Sequence, residues 1–466
     1  MRLKVTDVTV LGGGPAGAAA AKLLAQWGHS VRLITRAPAD VRLAVSVPPS
    51  TSKLFDAIGI SEAIERAGFI RATGNTVWWG RQEPRVEPFA DGARGWQVPL
   101  QALDTVMLAA AASAGVAIES RAIVDADLTP TEGGFVIDAT GRSSLLARAK
   151  GVRAYDDGPR TVALVGSWNC DGGWPVPDDS HTLIESYDTG WAWSVPTSAG
   201  TRHIAVMVDP QRSGLRRDAP AREVYDAELA KTAAFRRLVA SAACVGGPWG
   251  WDASTYRATA YAGDHWLLTG DAGSFIDPLS SAGVKKALAS AWLAAVAVHT
   301  SLAHPALRAE ALAFFAEREH EIERHYARMS RLFLADAAPT HPHAFWRDRS
   351  EAPGAPVEAD ATAVRDALDR LRAAAQVQLI AGAVTIERRP AVRGNQVVLE
   401  PVIVNDGASV RYVAGVDVIT LRAMAPRFAQ VPDLYDAYCR ECGEVPLPDF
   451  LMALATSVAR RWLVSQ

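Results

Sequence analysis

Apolar residues alternate at strand period through Val8 and Val10, and then a glycine turn interrupts them. They resume at helical spacing in an alanine-rich stretch and return to strand period at Val31–Thr35. This order predicts a strand–turn–helix–strand unit. GGFVIDATGRSS at 133–144 reads as a buried strand ending in Asp138-Ala-Thr-Gly141-Arg142, and WLLTGDAGSFIDPLSSAGVKKALASA at 266–291 as a strand, two turns and a helix. Between them TVALVGSW, HTLIES, GWAWSV and RHIAVMV, over 161–208, predict an antiparallel meander, with TGNTVWWG at 73–80 as a further strand of that sheet. Long amphipathic runs at 220–241 and 302–335, with Phe314, Phe315, Ile322 and Tyr326 at helical spacing, predict scaffold helices. The apolar run at 287–303 is short for a membrane span and carries Ser290, His299 and Ser301, so it predicts a buried helix. Residues 339–361, rich in Pro, Ala and charge, predict a linker. Beyond it, NQVVLEPVIV predicts a strand pair, and VITLRAMAPRF, VPDLYDAYCREC and PLPDFLMALATSVARRWLV predict three helices, two of them opened by Pro432-Asp433 and Pro448-Asp449.

The chain has 466 residues, 49% of them apolar, enough for two or three domains with a sizeable core. A net charge of −3 and a pI near 6.4 give no electrostatic reason to expect nucleic acid or an anionic membrane as a partner. Arg216–Arg217 and Arg460–Arg461 read as solvated faces. Four cysteines in so long a chain suit a reducing compartment, and a cytoplasmic location is expected. Cys439 and Cys442 are half of a zinc site with no second pair and no neighbouring His, and are read as incidental thiols, with no metal site expected.

Gly12-x-Gly14-x-x-Gly17 after a strand and before a helix is a dinucleotide fingerprint. Gly12 makes the turn, Gly14 lets the backbone approach a pyrophosphate, and Gly17 lets helix and strand pack, with Ala16 opening the helix. Thr35 stands where an acidic ribose partner is usual, followed by Arg36.

These motifs, with Gly141 and with Gly270-Asp271 and Asp277-Pro278-Leu279, resemble the FAD-dependent monooxygenase, flavin halogenase and geranylgeranyl reductase superfamily over roughly residues 5–300. The resemblance implies FAD as cofactor, with Asp271 on the ribityl chain, Gln97 touching it, and the helix from Gly283 and Val284 aimed at the flavin pyrimidine edge. It departs at Leu100, where the family usually carries arginine. Trp191 and Trp193 are similar to the W-x-W-x-[IV]-P motif of the flavin halogenases. With Trp78, Trp79 and Trp168 they predict an aromatic substrate pocket.

The resemblance further implies a flavin C4a-hydroperoxide, which an oxygenase passes to an electron-rich carbon and a halogenase captures with halide, using a lysine. Aligning GFIRATGNTVWWG with phenol-type halogenases puts Ala72 where that lysine stands, and aligning it with tryptophan-type halogenases puts Arg71 there. From Lys53 to Lys150 the chain has no other lysine. Arginine does not release its proton and cannot replace an ammonium in this step. The expected function is therefore an FAD-dependent monooxygenase hydroxylating an indole or phenol. Arg71, Asp277 and Pro278 are the candidate catalytic residues. The alternatives are a flavin halogenase, an FAD-dependent reductase and a non-catalytic flavin-binding protein.

No second nucleotide fold is visible, so NAD(P)H visits transiently or a separate reductase supplies electrons, with O2 as co-substrate. The expected architecture is α/β. An FAD-binding Rossmann-like domain (1–75, 95–155, 250–300) carries an inserted antiparallel substrate sheet (76–94, 156–249). A scaffold helix (301–338), the linker (339–361) and a mainly helical C-terminal module that resembles a winged helix (362–466) follow. That module predicts a substrate carried on a peptide or carrier protein, or else a small aromatic. A flavoprotein monooxygenase that oxidises peptidyl tryptophan in tryptophylquinone biogenesis is of this type.

Overall fold

The computed structural model describes residues 6–36, 43–155, 158–216, 220–350, 359–373, 376–405 and 408–465. The chain divides into two compact units, Met1–Pro353 and Gly354–Gln466.

In the first unit the strand–turn–helix–strand pattern becomes Val8–Leu11, the helix Pro15–Gln26 and Val31–Thr35. These strands join a six-stranded sheet whose central members are parallel and fully buried, which explains why they read as continuous apolar runs. Phe135–Asp138 pairs with Val8–Leu11, and Trp266–Leu268 with Phe135–Asp138, so the three motif-bearing strand ends lie side by side. Ligands bind at such carboxyl ends in open α/β sheets. The helix Gly283–Ala303 packs against Pro15–Gln26. It is long and apolar enough to cross a membrane, but 72% of its apolar window is buried inside this unit.

The tryptophan-bearing segments form a seven-stranded sheet. Thr182–Tyr187, Gly190–Ser198 and Thr201–Val208 are the expected meander. Val162–Asn169 departs from it. It pairs with Thr201–Val208 and with Ala243–Asp252, not with the strand that follows it. Gly74–Trp78 joins as expected, parallel to Thr182–Tyr187, so the sheet is mixed. Helices occupy Ala221–Lys231, Ala234–Val239 and Arg308–Ala337, where the amphipathic runs place them.

The expected linker needs correction. Its first part is packed into the core, with Phe345 and Trp346 buried at 1% and 0% exposure in the helix Ala344–Arg347. His341, Phe345 and Trp346 supply apolar surface that a Pro- and charge-rich composition hides. Residues 351–358 of that linker, like Arg217, lie outside the described residues.

The second unit pairs Thr385–Arg393 with Gln396–Asn405 in a hairpin and carries the three expected helices at Val418–Met424, Val431–Cys442 and Leu447–Ala459. Phe450, Leu454, Leu421, Tyr438 and Trp462 form its core. Cys439 and Cys442 are free thiols on the last turn of their helix. Among the described residues no three His, Cys, Asp or Glu side chains gather as a metal site.

Candidate active site

The glycine turn is shaped for close packing of strand, turn and helix. Gly12 has φ +99°, and a Cβ there would fall 2.4 Å from the Ala139 carbonyl oxygen. A Cβ on Gly17 would fall 1.9 Å from the Gly12 oxygen. Both positions therefore exclude any side chain. The next strand end is held as firmly. Asp138 accepts from Thr140 N at 2.9 Å, Thr140 Oγ1 at 2.6 Å and Leu146 N at 2.7 Å. Its carboxyl fixes the Ala-Thr-Gly141 turn.

A cavity of about 790 Å3 opens over these turns, within the roughly 300–1,000 Å3 of ligand pockets generally. Gly12, Gly14, Ala16, Thr35, Arg36, Gly141, Asp271, Gly283 and Val284 line it. Trp191 and Trp193, on the seven-stranded sheet, line it as well, with Trp251, Ala163, Val165 and Met207. Asp277 and Pro278 line it too. Asp277 Oδ1 accepts from Leu279 N at 2.9 Å, which caps the short turn at 278–280. Burial raises the Asp277 carboxyl above the usual range.

Several expected site residues lie elsewhere. Trp78 and Trp168 sit on the far face of the sheet, in a core with Tyr225 and Leu183. Trp168 Nε1 donates to Tyr225 Oη at 2.8 Å. Successive strand residues face opposite sides, so Trp78 and Trp79 cannot share a face. Trp79 is on the cavity side of the sheet but behind the wall. Its ring meets Trp191 at 6.4 Å and Trp346 at 5.5 Å, and its N–H donates to Phe333 O at 2.8 Å. Arg71 is outside the cavity, stacked 4.4 Å from the Trp96 ring centroid and paired with Glu65 at 2.5 Å. Gln97 is buried one layer back, where its Nε2 donates to Ser180 O and Thr182 Oγ1. Thr35 is at the cavity, but its hydroxyl accepts from Gly13 N at 3.1 Å and donates to Arg36 O, so it braces the glycine loop.

Other lining residues carried weaker signals. Leu100, Asp104 and Leu108 form an i, i+4 stripe on the helix Leu100–Ser113, all lining the cavity. Asp104 Oδ1 is buried with no partner among the described residues, and burial lifts that carboxyl to about 6. Arg142 lies 3.9 Å over the Phe275 ring and pairs with Asp252 at 3.0 Å. Among the described residues the Nε1–H of Trp193 has no partner.

The motif residues lining the cavity fit FAD, with Gly14 at a point where a Cβ would meet nothing nearer than 4.0 Å, a helix N-terminus at Gly283 and Asp271 open to the cavity. The fold and these motifs are similar to those of the FAD-dependent monooxygenase and halogenase superfamily. Residues 5–133 match the FAD binding domain family. A flavin-dependent halogenase of Armillaria mellea is 27% identical over 371 residues, 69% of this chain and 72% of that one. A tryptophan 2-halogenase of Chondromyces crocatus is 27% identical over 345 residues, 66% of this chain and 64% of its own length. Among solved structures, CmlS, a flavin-dependent halogenase, superposes with a TM-score of 0.77 at 21% identity, covering 100% of this chain and 96% of that one. The peptidyl tryptophan dihydroxylase QhpG, essential for tryptophylquinone cofactor biogenesis, superposes at 0.68 with 23% identity, covering 98% of each. At these identities the two structures speak for the fold.

Proposed function

We propose that this chain uses FAD and O2 to oxygenate an electron-rich aromatic group held against Trp191 and Trp193. One observation carries the reading: among the described residues no lysine lines the cavity. Ala72, aligned with the halogenase lysine, is fully buried in the strand Ile70–Ala72. Lys286 reaches Asp271 from behind, and Lys285 donates to Ser50 Oγ at 2.9 Å.

Bound reduced FAD supplies the activation of O2. The protein's part is to bind, orient and exclude water. The glycine turn and the N-terminus of Gly283–Ala303 favour a negatively charged ligand. The tryptophan wall stacks a planar substrate and keeps the chamber dry. Asp277 Oδ2 is the atom we assign to accept the ring or hydroxyl proton, since Oδ1 is engaged by Leu279 N. The substrate is an indole or phenol, free or carried on a peptide.

Halogenation is the second reading, and the relatives favour it over hydroxylation. The two curated relatives named above are halogenases, at 27% identity over about two thirds of this chain. The two readings separate on product mass. With reduced FAD, O2, bromide and indole or phenol acceptors, oxygenation gives a product heavier by one oxygen and halogenation gives a bromine isotope pair.

A further inference from the structure

Behind the cavity, beyond the loop from Gly270 to Ser274, lies a buried polar cluster that the cofactor motifs leave unexplained. Glu319, on the helix Arg308–Ala337, is 0% exposed, and its carboxyl faces the Ser290 hydroxyl with no other hydrogen-bond partner among the described residues. A buried carboxyl left in this state demands an explanation. The hydroxyls of Tyr261 and Ser274 are also buried and face one another, with no other partner among the described residues. Lys286 enters from the helix Gly283–Ala303, 1% exposed. Its ammonium donates to Gly270 O at 3.0 Å and to Ser274 O, and lies 3.7 Å from Asp271 Oδ1. Asp271 opens into the cavity.

We propose that Lys286 and Glu319 are positioning residues for the cofactor loop. The ammonium pins Asp271 and the two carbonyls. The proton on Glu319 decides whether the trio of Asp271, Lys286 and Glu319 is neutral or carries one negative charge beneath the cavity. This rests on the reading of the cavity as an FAD site.

Burial pushes the Glu319 carboxyl up to about 7, with Lys286 pulling the other way, and the same two influences act on Asp271, where Arg142 adds to the pull of Lys286. The other charged or titratable neighbours are Tyr261, Arg257, and His320 and Glu323 on Glu319's own helix. Ionised Glu319 competes with Asp271 for Lys286 and adds negative charge behind a site that must accept a pyrophosphate. FAD affinity should therefore fall as Glu319 ionises.

The test is FAD titration of the full-length apoprotein at pH 6, 7 and 8, followed by flavin fluorescence, in the wild type and Glu319→Gln, with melting temperatures of the same apoproteins. The wild-type Kd should rise about threefold or more from pH 6 to 8. Glu319→Gln should lose that share of the rise, while the share from Asp104 stays common to both. Because the folded-state pKa of Glu319 lies above its ordinary 4.5, its stabilising contribution is complete below about 4.5 and lost as pH rises through about 7. Apo Glu319→Gln should therefore melt above the wild type at pH 8, by a margin that is smaller at pH 6 and closes only near pH 4.5. Identical pH slopes in the two proteins, or no melting gap at pH 8, would overturn the proposal. Lys286→Met should weaken FAD binding about tenfold or more, and wild-type affinity in that variant would overturn it as well. If the wild type binds no FAD at any pH, the FAD reading itself fails, and the melting gap distinguishes that failure from a wrong account of the buried charges.

Discussion

Gly17 has no room for a side chain, since a Cβ there would lie 1.9 Å from the Gly12 oxygen. Gly17→Ala must separate the helix from the strand. It is expected to destabilise the apoprotein by roughly 1–3 kcal/mol and to abolish FAD binding, as urea unfolding and flavin fluorescence will report. Asp104 acts in the opposite direction. Its carboxyl is held at about 6 by burial, against an ordinary 3.8, so its stabilising contribution is complete below 3.8 and lost as pH rises through about 6. Asp104→Asn should thus stabilise the apoprotein above pH 6, by at most about 3 kcal/mol, and leave it unchanged near pH 3. Arg71 is bound into a Trp96–Glu65 contact outside the cavity, so Arg71→Gln should leave product formation within about twofold of wild type in a turnover assay.

At the scale of elements, the cavity wall depends on the segment from His341 to Arg349. Trp346 packs on Trp79, which packs on Trp191, and the Trp346 N–H donates to Tyr187 O at 3.0 Å. Trp346→Ala should destabilise the first unit by about 3–5 kcal/mol and weaken aromatic ligand binding, measured by denaturant unfolding and by quenching of tryptophan fluorescence. Strand parity explains which parts of this layer were legible. The spacing of Trp191 and Trp193 placed both on one face, and both line the cavity. The same rule, applied to the adjacent Trp78 and Trp79, would have separated them. Trp168 was beyond its reach, because the order of strands in the sheet decides which face is the inner one. The segment at 341–349 was hidden for a different reason: three buried side chains outweigh a run of Pro and charge, and only packing reveals that.

At the scale of the molecule, the nucleotide end was legible because its motifs are backbone requirements that few sequences satisfy by chance. The substrate end was less so, because it is assembled from strands distant in sequence. Among the described residues, all that line the cavity lie from Gly12 to Ala287, inside the unit Met1–Pro353. A chain ending at Pro353 should bind FAD with a Kd within about threefold of the full chain, by the same fluorescence titration. The central claim is that oxygen passes to the substrate with no ammonium between. The most direct measurement supplies the full-length protein with reduced FAD, 18O2, bromide and a mixture of indole and phenol acceptors, and reads the products by mass spectrometry. The account predicts incorporation of a single 18O atom and no bromine. A brominated product without 18O would contradict it.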